Sequence, residues 1–295
     1  MSAKKSAQRR SLRDAEYFSL LGDGRVQCRL CPHACVLRDE ESGECHTRMN
    51  EGGVMRLPFY GLISSIALDP IEKKPLRRFL PGTKTFSVGF WHCTMRCPFC
   101  QNWEIAQPTA IEGRFIGPET LIDMALESGL PSISFTYSEP CLHIEYVKTC
   151  MALARRRGLK TVLVTNGNLL ESPARDILSL TDATNIDLKS YSAATYHEKL
   201  GGELETVKKF IQIAHSSCHA EITSLLVPGI LDDPEQIEGI AAFLGAISRD
   251  IPLHITPYHP AYRWSLPPLS GQEMERIAAP AFKHLDFVYT AAPFY

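Results

Sequence analysis

The sequence predicts an α/β protein: a partial or near-complete (β/α) TIM-type barrel preceded by a cysteine-rich extension. Three observations carry this. From about residue 84, strand-like and helix-like stretches alternate through six or seven units, and such alternation implies parallel strands joined by right-handed crossovers. Each strand-like stretch ends in polar or chemically special residues, where barrels of this kind collect their chemistry. The chain has 295 residues and is 44% apolar, enough to fill one barrel core, since such barrels run to about 250 residues or more.

The first strand is "TFSVGFW", Thr85 to Trp91, and a cysteine-rich loop follows it. "GPETLIDMALESG" reads as a helix from near Pro118, with proline and acids at its start and glycine at its end. "SISFTY" is the second strand, and a long helix runs from about Glu139 to Arg157. "KTVLVTN" and "ATNIDLK" are the third and fourth strands, with the short helix "ESPARDILSL" between them. A helix from Glu203 to Ser217 leads to the strand "AEITSLLVP". The helix "DPEQIEGIAAFLGAIS", the strand "LHITPY", a helix from Gly271 to Lys283 and a short strand "DFVYT" complete the series. The strand ends read, in order, as the cysteine loop, "YSEP", "TNG", "DLK", "VPG" and "PYH". The composition shift near residue 84 divides the chain into an extension, 1–83, and a barrel domain, 84–295.

Composition bounds the function. A net charge of -2 with 22% charged residues describes neither a disordered chain nor a general nucleic-acid binder. The opening "MSAKKSAQRRSLRDAEYF" lacks the apolar block of a signal peptide and is expected to become an amphipathic helix. No later run is apolar enough to cross a membrane, so a cytoplasmic protein is expected. In that compartment, clustered cysteines indicate metal or redox chemistry before disulfides. Of ten cysteines, seven fall in two clusters; Cys141, Cys150 and Cys218 stand apart and read as small buried hydrophobes.

Cys93, Cys97 and Cys100 lie within eight residues of loop. Thiolates are soft ligands suited to zinc or to iron–sulfur clusters. A structural zinc site needs four ligands, and His92 is available as a fourth. A four-iron cluster on three cysteines leaves one iron open to a small molecule. The second cluster is Cys28, Cys31, Cys35 and Cys45, which suit a closed zinc site or an auxiliary iron–sulfur site, with His33 and His46 able to replace a thiol. Reduced, unligated thiols are the alternative.

The Cys-x3-Cys-x2-Cys spacing after the first strand, with Phe99 just before the last cysteine, resembles the radical S-adenosylmethionine (SAM) superfamily. The resemblance implies a barrel of the radical SAM kind and a [4Fe-4S] cluster on Cys93, Cys97 and Cys100. Reductive cleavage of SAM then gives a 5′-deoxyadenosyl radical that abstracts hydrogen from a substrate. It also implies an electron donor such as flavodoxin or ferredoxin. By the same resemblance, Ser138 and Glu139 of "SEP" meet the SAM amino group, although Glu139 also suits a carboxylate at a helix N-terminus. Thr165 and Asn166 of "TNG" meet the ribose or carboxylate. Lys189 of "DLK" pairs with the SAM carboxylate while Asp187 shapes the polar floor, the alternative being an Asp–Lys surface pair. His259 is a ribose or substrate contact, or a packed core residue.

More narrowly, "CRLCPHAC", "SGEC", "DPIEKKPLRRFLPG" and "CQNW" resemble the radical SAM protein of the AmmeMemoRadiSam system, a branch similar to the pyruvate formate-lyase activating enzymes. That likeness runs from Cys28 to Thr290 and implies an activase-like enzyme. Its substrate is a protein or a small molecule, with system partners. Such relatives carry a further Cys-x2-Cys pair after the last strand, where this sequence has no cysteine after Cys218. A metal-binding or electron-transfer protein that does not cleave SAM is the competing class.

Overall fold

The computed structural model describes residues 13–290. Its centre is one eight-stranded sheet. The strands are β8 (Ser65–Pro70), β9 (Lys84–Gly89), β11 (Ser132–Thr136), β12 (Lys160–Thr165), β13 (Ala183–Asp187), β14 (His219–Leu226), β15 (Leu253–Pro257) and β16 (Val288–Thr290). They lie side by side in that order, and every pair from β9 to β16 is parallel. Only β8 runs antiparallel, against β9. This is the expected α/β barrel architecture, left open between β16 and β8 among the described residues.

Helices Pro118–Glu127, Ile144–Arg156, Glu171–Leu178, Leu204–Ser217, Pro234–Ile247 and Gly271–Ala278 alternate with these strands. Each puts an apolar stripe inward, as Val207, Phe210, Ile211 and Ala214 do for the fourth of them. The inner strands β9 to β15 are mostly buried on both faces, β11 at all five positions, which is the pattern of a parallel sheet covered by helices. No helix among the described residues is long and apolar enough to cross a membrane.

The amphipathic helix expected at the start is corrected. Residues 1–12 lie outside the described residues, and the stretch after them forms strands β1 (Arg13–Asp14) and β2 (Phe18–Leu20). Tyr17 between them takes a left-handed backbone (φ 54°) that ends any helix. β2 pairs with β3 (Val26–Cys28), which pairs with β4 (Val36–Leu37), while β1 and β5 (Met49–Glu51) flank β6 (Val54–Leu57). A further two-stranded ribbon joins β7 (Leu62–Ile63) to β10 (Arg114–Phe115).

The sheet also crosses the compositional boundary at residue 84. β8 pairs with β9 at six registered positions, Ser65↔Gly89 to Pro70↔Lys84. Beyond it, Ile71 and Leu76 pack against Val162 of β12 and Ala183 of β13. The segment between β8 and β9 is thus built into the barrel.

The small sheets are bolted to the barrel by one buried ion pair. The Arg48 guanidinium donates from Nη2 to both carboxylate oxygens of Glu145, at 2.7 and 2.8 Å. Its Nη1 donates to the Glu16 carbonyl at 3.0 Å. His33 Nε2 lies 2.9 Å from the Thr94 carbonyl, so the extension touches the cysteine loop directly.

Candidate active site

The loop after β9 is fixed from several sides. His92 N–H donates to the Ile105 carbonyl at 2.7 Å, and Arg96 N–H to the Leu200 carbonyl at 2.8 Å. Leu200 closes a five-residue π-helical turn, Tyr196–Leu200, a type of irregularity that recurs at functional sites. Gln107 Nε2 donates to the Met95 carbonyl at 2.9 Å. His92 (φ 71°) and Tyr137 (φ 75°) hold left-handed backbone just past β9 and β11, strain of the kind that gathers at active sites.

Cys93, Cys97 and Cys100 line one cavity of about 450 Å³, within the range of small-molecule sites. Its wall also carries Phe99, Ser138, Thr165, Asn166, Asp187 and Lys189. Ends of β9, β11, β12 and β13 therefore converge here. Asn166 Nδ2 lies 3.4 Å from Cys93 Sγ and donates to Thr94 Oγ1 at 3.0 Å. Lys189 Nζ lies 2.9 Å from Asp187 Oδ2. Burial opposes the charge of Lys189, but Asp187 and then Cys97 outweigh it and hold the ammonium above its ordinary range. Burial pushes the Cys97 thiol up to about 12 despite the opposing pull of Lys189.

Glu139 and His259 are not among the residues that line this cavity. Glu139 is 1% exposed and is not on the cavity wall. Its Oε1 accepts from Thr165 Oγ1 at 2.7 Å and from Cys141 N–H at 3.0 Å, and its Oε2 accepts from Asn166 N–H at 2.9 Å. It caps the 3₁₀ turn Pro140–His143 and ties the end of β11 to that of β12. Burial, the largest influence on its carboxyl, raises the pKa against these hydrogen bonds. His259 is also off the wall. His92 lines a neighbouring polar cavity with Cys45, His46 and Cys93, and its buried Nε2 has no hydrogen-bond partner.

The donor set discriminates between metals. Among the described residues, the wall offers three thiols and neither a fourth thiol nor a histidine. A closed zinc site needs four donors at one point; a cubane spreads its thiolates over separate irons. The cavity fits a three-cysteine cluster with one open iron.

Cys28, Cys31, Cys35 and Cys45 surround a second, small cavity together with Arg48 and Leu142. Burial raises the thiols of Cys28 and Cys31 above their ordinary range.

The charged segment after β8 is tied into the site. In "DPIEKKPL", Asp69 accepts from Lys74 Nζ at 2.7 Å, from Lys73 Nζ at 3.0 Å and from Tyr137 Oη. Lys73 and Lys74 both line the main cavity. Pro75 O accepts from Asn185 Nδ2 at 2.9 Å, and Glu221 takes the backbone N–H groups of Arg77 and Arg78 at 3.0 and 2.8 Å. The only sequence signal was the density of charge between two prolines.

An open parallel barrel with three thiols on its first loop, facing a cavity walled by the following strand ends, defines a class of cluster-dependent enzyme. The radical SAM superfamily model matches residues 92–244, and the chain belongs to that superfamily. It is 34% identical over 284 residues to an uncharacterized protein of Methanocaldococcus jannaschii, covering 94% of this chain and 84% of that one. It is 25% identical over 187 residues to the pyruvate formate-lyase 1-activating enzyme of Escherichia coli K12, covering 61% of this chain and 75% of that enzyme. Among solved structures, Streptococcus suis SuiB bound to S-adenosylmethionine matches with a TM-score of 0.55 at 14% identity, over 71% of this chain and 52% of that one. QueE from Escherichia coli matches with a TM-score of 0.51 at 11% identity, over 79% of this chain and 94% of that one. These structural likenesses are likenesses of fold.

Proposed function

We propose that the protein cleaves SAM reductively at a [4Fe-4S] cluster held by Cys93, Cys97 and Cys100. It directs the resulting radical to abstract hydrogen from a protein or small-molecule substrate, in an activase-like manner, as a member of the AmmeMemoRadiSam branch that resembles the pyruvate formate-lyase activating enzymes. The observation that carries this reading is the donor set: three thiols on a cavity wall without a fourth protein ligand, beside the Asp187–Lys189 pair. When bound, the cluster supplies the electron that opens the SAM carbon–sulfur bond, with flavodoxin or ferredoxin as its source.

The chain's own groups bind and orient. Lys189 offers its ammonium to the SAM carboxylate, and Asp187 holds it in place. Asn166 sets the Cys93 thiolate and presents its amide beside it. Glu139 acts through Asn166 and Thr165 and does not touch SAM. Phe99 and Met95 exclude water from the thiols. The four thiols of the extension line one small cavity and would hold a second metal, zinc or iron–sulfur, there.

Anaerobic reconstitution with iron and sulfide, reduction by dithionite and measurement of methionine and 5′-deoxyadenosine test the main reading. The wild type produces both; the variant with alanine at 93, 97 and 100 produces neither. A reconstituted wild type that keeps its cluster but leaves SAM intact favours the electron-transfer alternative.

A further inference from the structure

The cavity extends well below the cysteines. Gly89, which leads into the cysteine loop, pairs with Ser65, whereas Asp69 pairs with Thr85 four residues back along β9. At about 3.3 Å per residue, the two levels are roughly 13 Å apart along the strand. Lys73 and Lys74 leave the chain at the lower level and reach the same cavity wall. The site thus has a thiol end and a lysine end, attached to the barrel at different levels of β9.

The lysine end carries uncompensated charge. Lys74 is 1% exposed, yet its ammonium shares its carboxylate, Asp69, with a second ammonium. Tyr137 Oη donates to the same carboxylate, and its ring lies 4.3 Å from Lys74 Nζ. Two ammoniums against one carboxylate leave one positive charge. The other charged pair on the wall, Asp187 and Lys189, cancels internally. A strut between β8 and β11 would need one lysine. The second, Lys73, is 63% exposed and also lines the cavity, so its ammonium is held at the water-filled side of the wall where an entering anion can meet it. Ammonium groups have three donors each, and Asp69 accounts for one bond from each lysine.

We propose that Lys73 and Lys74 form an anion subsite that holds a carboxylate or phosphate group of the substrate, with Asp69 and Tyr137 as positioning residues. The inference rests on the radical SAM reading of the cavity and names the class of substrate: a small anionic molecule anchored at the lysine end with its reacting carbon toward the cysteines. Glu221 supports the arrangement by clamping the backbone of Arg77 and Arg78 just beyond the lysines.

The test uses the full, anaerobically reconstituted protein with SAM. Inorganic phosphate and succinate are titrated by calorimetry at low salt into the wild type, Lys73→Gln, Lys74→Gln and, as a control, Lys208→Gln on the outer helix. At least one anion saturates the wild type and the control and binds about tenfold more weakly, or worse, to each cavity variant. Phosphate alone points to a phosphorylated substrate, succinate alone to a carboxylic acid. Should Lys74→Gln fail to fold, Lys73→Gln decides, since that side chain is 63% exposed. Failure of both anions to bind, or unchanged affinity in Lys73→Gln, overturns the subsite. The electron paramagnetic resonance signal of the reduced cluster, with and without SAM, is recorded on the same wild-type sample. If that signal responds to SAM while no anion binds, the subsite alone is wrong; if it does not respond, the underlying reading fails.

Discussion

Glu139 accepts the backbone N–H of Asn166 at 2.9 Å, and Asn166 in turn reaches Cys93 Sγ at 3.4 Å. A buried carboxylate at the end of β11 therefore sets the end of β12, and through it the first thiol of the cysteine loop. The acid of "SEP" braces the site from behind its wall.

Glu139→Gln separates a brace from a SAM ligand. The amide presents N–H to partners that are themselves donors, so one or two of three buried hydrogen bonds are lost. Each costs about 1–3 kcal/mol when a buried partner is left unsatisfied. Urea unfolding of the cluster-free protein, with no SAM present, is expected to show this loss. Unchanged stability together with weakened SAM binding would return Glu139 to the role of a direct ligand.

Glu221 gives the protein an acid-sensitive joint. Burial raises its carboxyl, but hydrogen bonds from His219 and His254 and from the backbone of Arg77 and Arg78 prevail and lower it from 4.5 to about 2. A depressed carboxylate stabilises the fold fully above its unfolded value and loses that contribution as pH falls from about 4.5 toward 2. The shift corresponds to about 3 kcal/mol. Urea titrations at pH 7, 4.5 and 3 should show stability falling between the last two in the wild type. In Glu221→Gln that part of the slope is absent and the pH 7 stability is already lower.

The parallel strands were legible because each is a short apolar run ending in polar residues, and both features are local. The cysteine loop was legible for the same reason. Lys73, Lys74 and Asp69 were visible only as charge, because their meaning depends on Tyr137, a partner 68 positions away in the chain. The start of the chain was misread because pairing partners such as Leu57 for Arg13 and Cys28 for Phe18 override local helical periodicity. "SEP" could not separate a ligand from a brace, since that depends on where the N–H of Asn166 points in space.

The thiols of the extension supply a test of the second metal. Replacing Cys28, Cys31, Cys35 and Cys45 by serine is expected to lower bound zinc or iron, measured by elemental analysis. It should also loosen residues 25–50 to proteolysis, because a metal there closes a loop-rich segment. The response of the barrel cluster to SAM should persist, since none of these thiols lines the main cavity, although Cys45 shares a smaller neighbouring cavity with Cys93. Unchanged metal content would show that the four are plain reduced thiols.

Gly89 marks the tightest point of the site. A Cβ there would lie 2.3 Å from Ser65 Oγ, 2.8 Å from the Tyr137 ring and 2.9 Å from Ser64 Oγ. Two of the contacts are serine hydroxyls at and just before the start of β8, which can rotate, while the third is the ring of the tyrosine that braces Asp69, which cannot yield without moving the cavity wall. Gly89→Ala is expected to destabilise by about 1–3 kcal/mol, the usual cost of overpacking. It should also displace Tyr137 from Asp69 and lower the yield of reconstituted cluster. Gly22→Ala is the matched control, because a Cβ at Gly22 meets nothing within 4 Å. Urea midpoints and the iron content of both variants decide the point: equal values for the two would mean that β8 and Tyr137 move aside freely and that the close packing around Gly89 does not hold the cysteine loop.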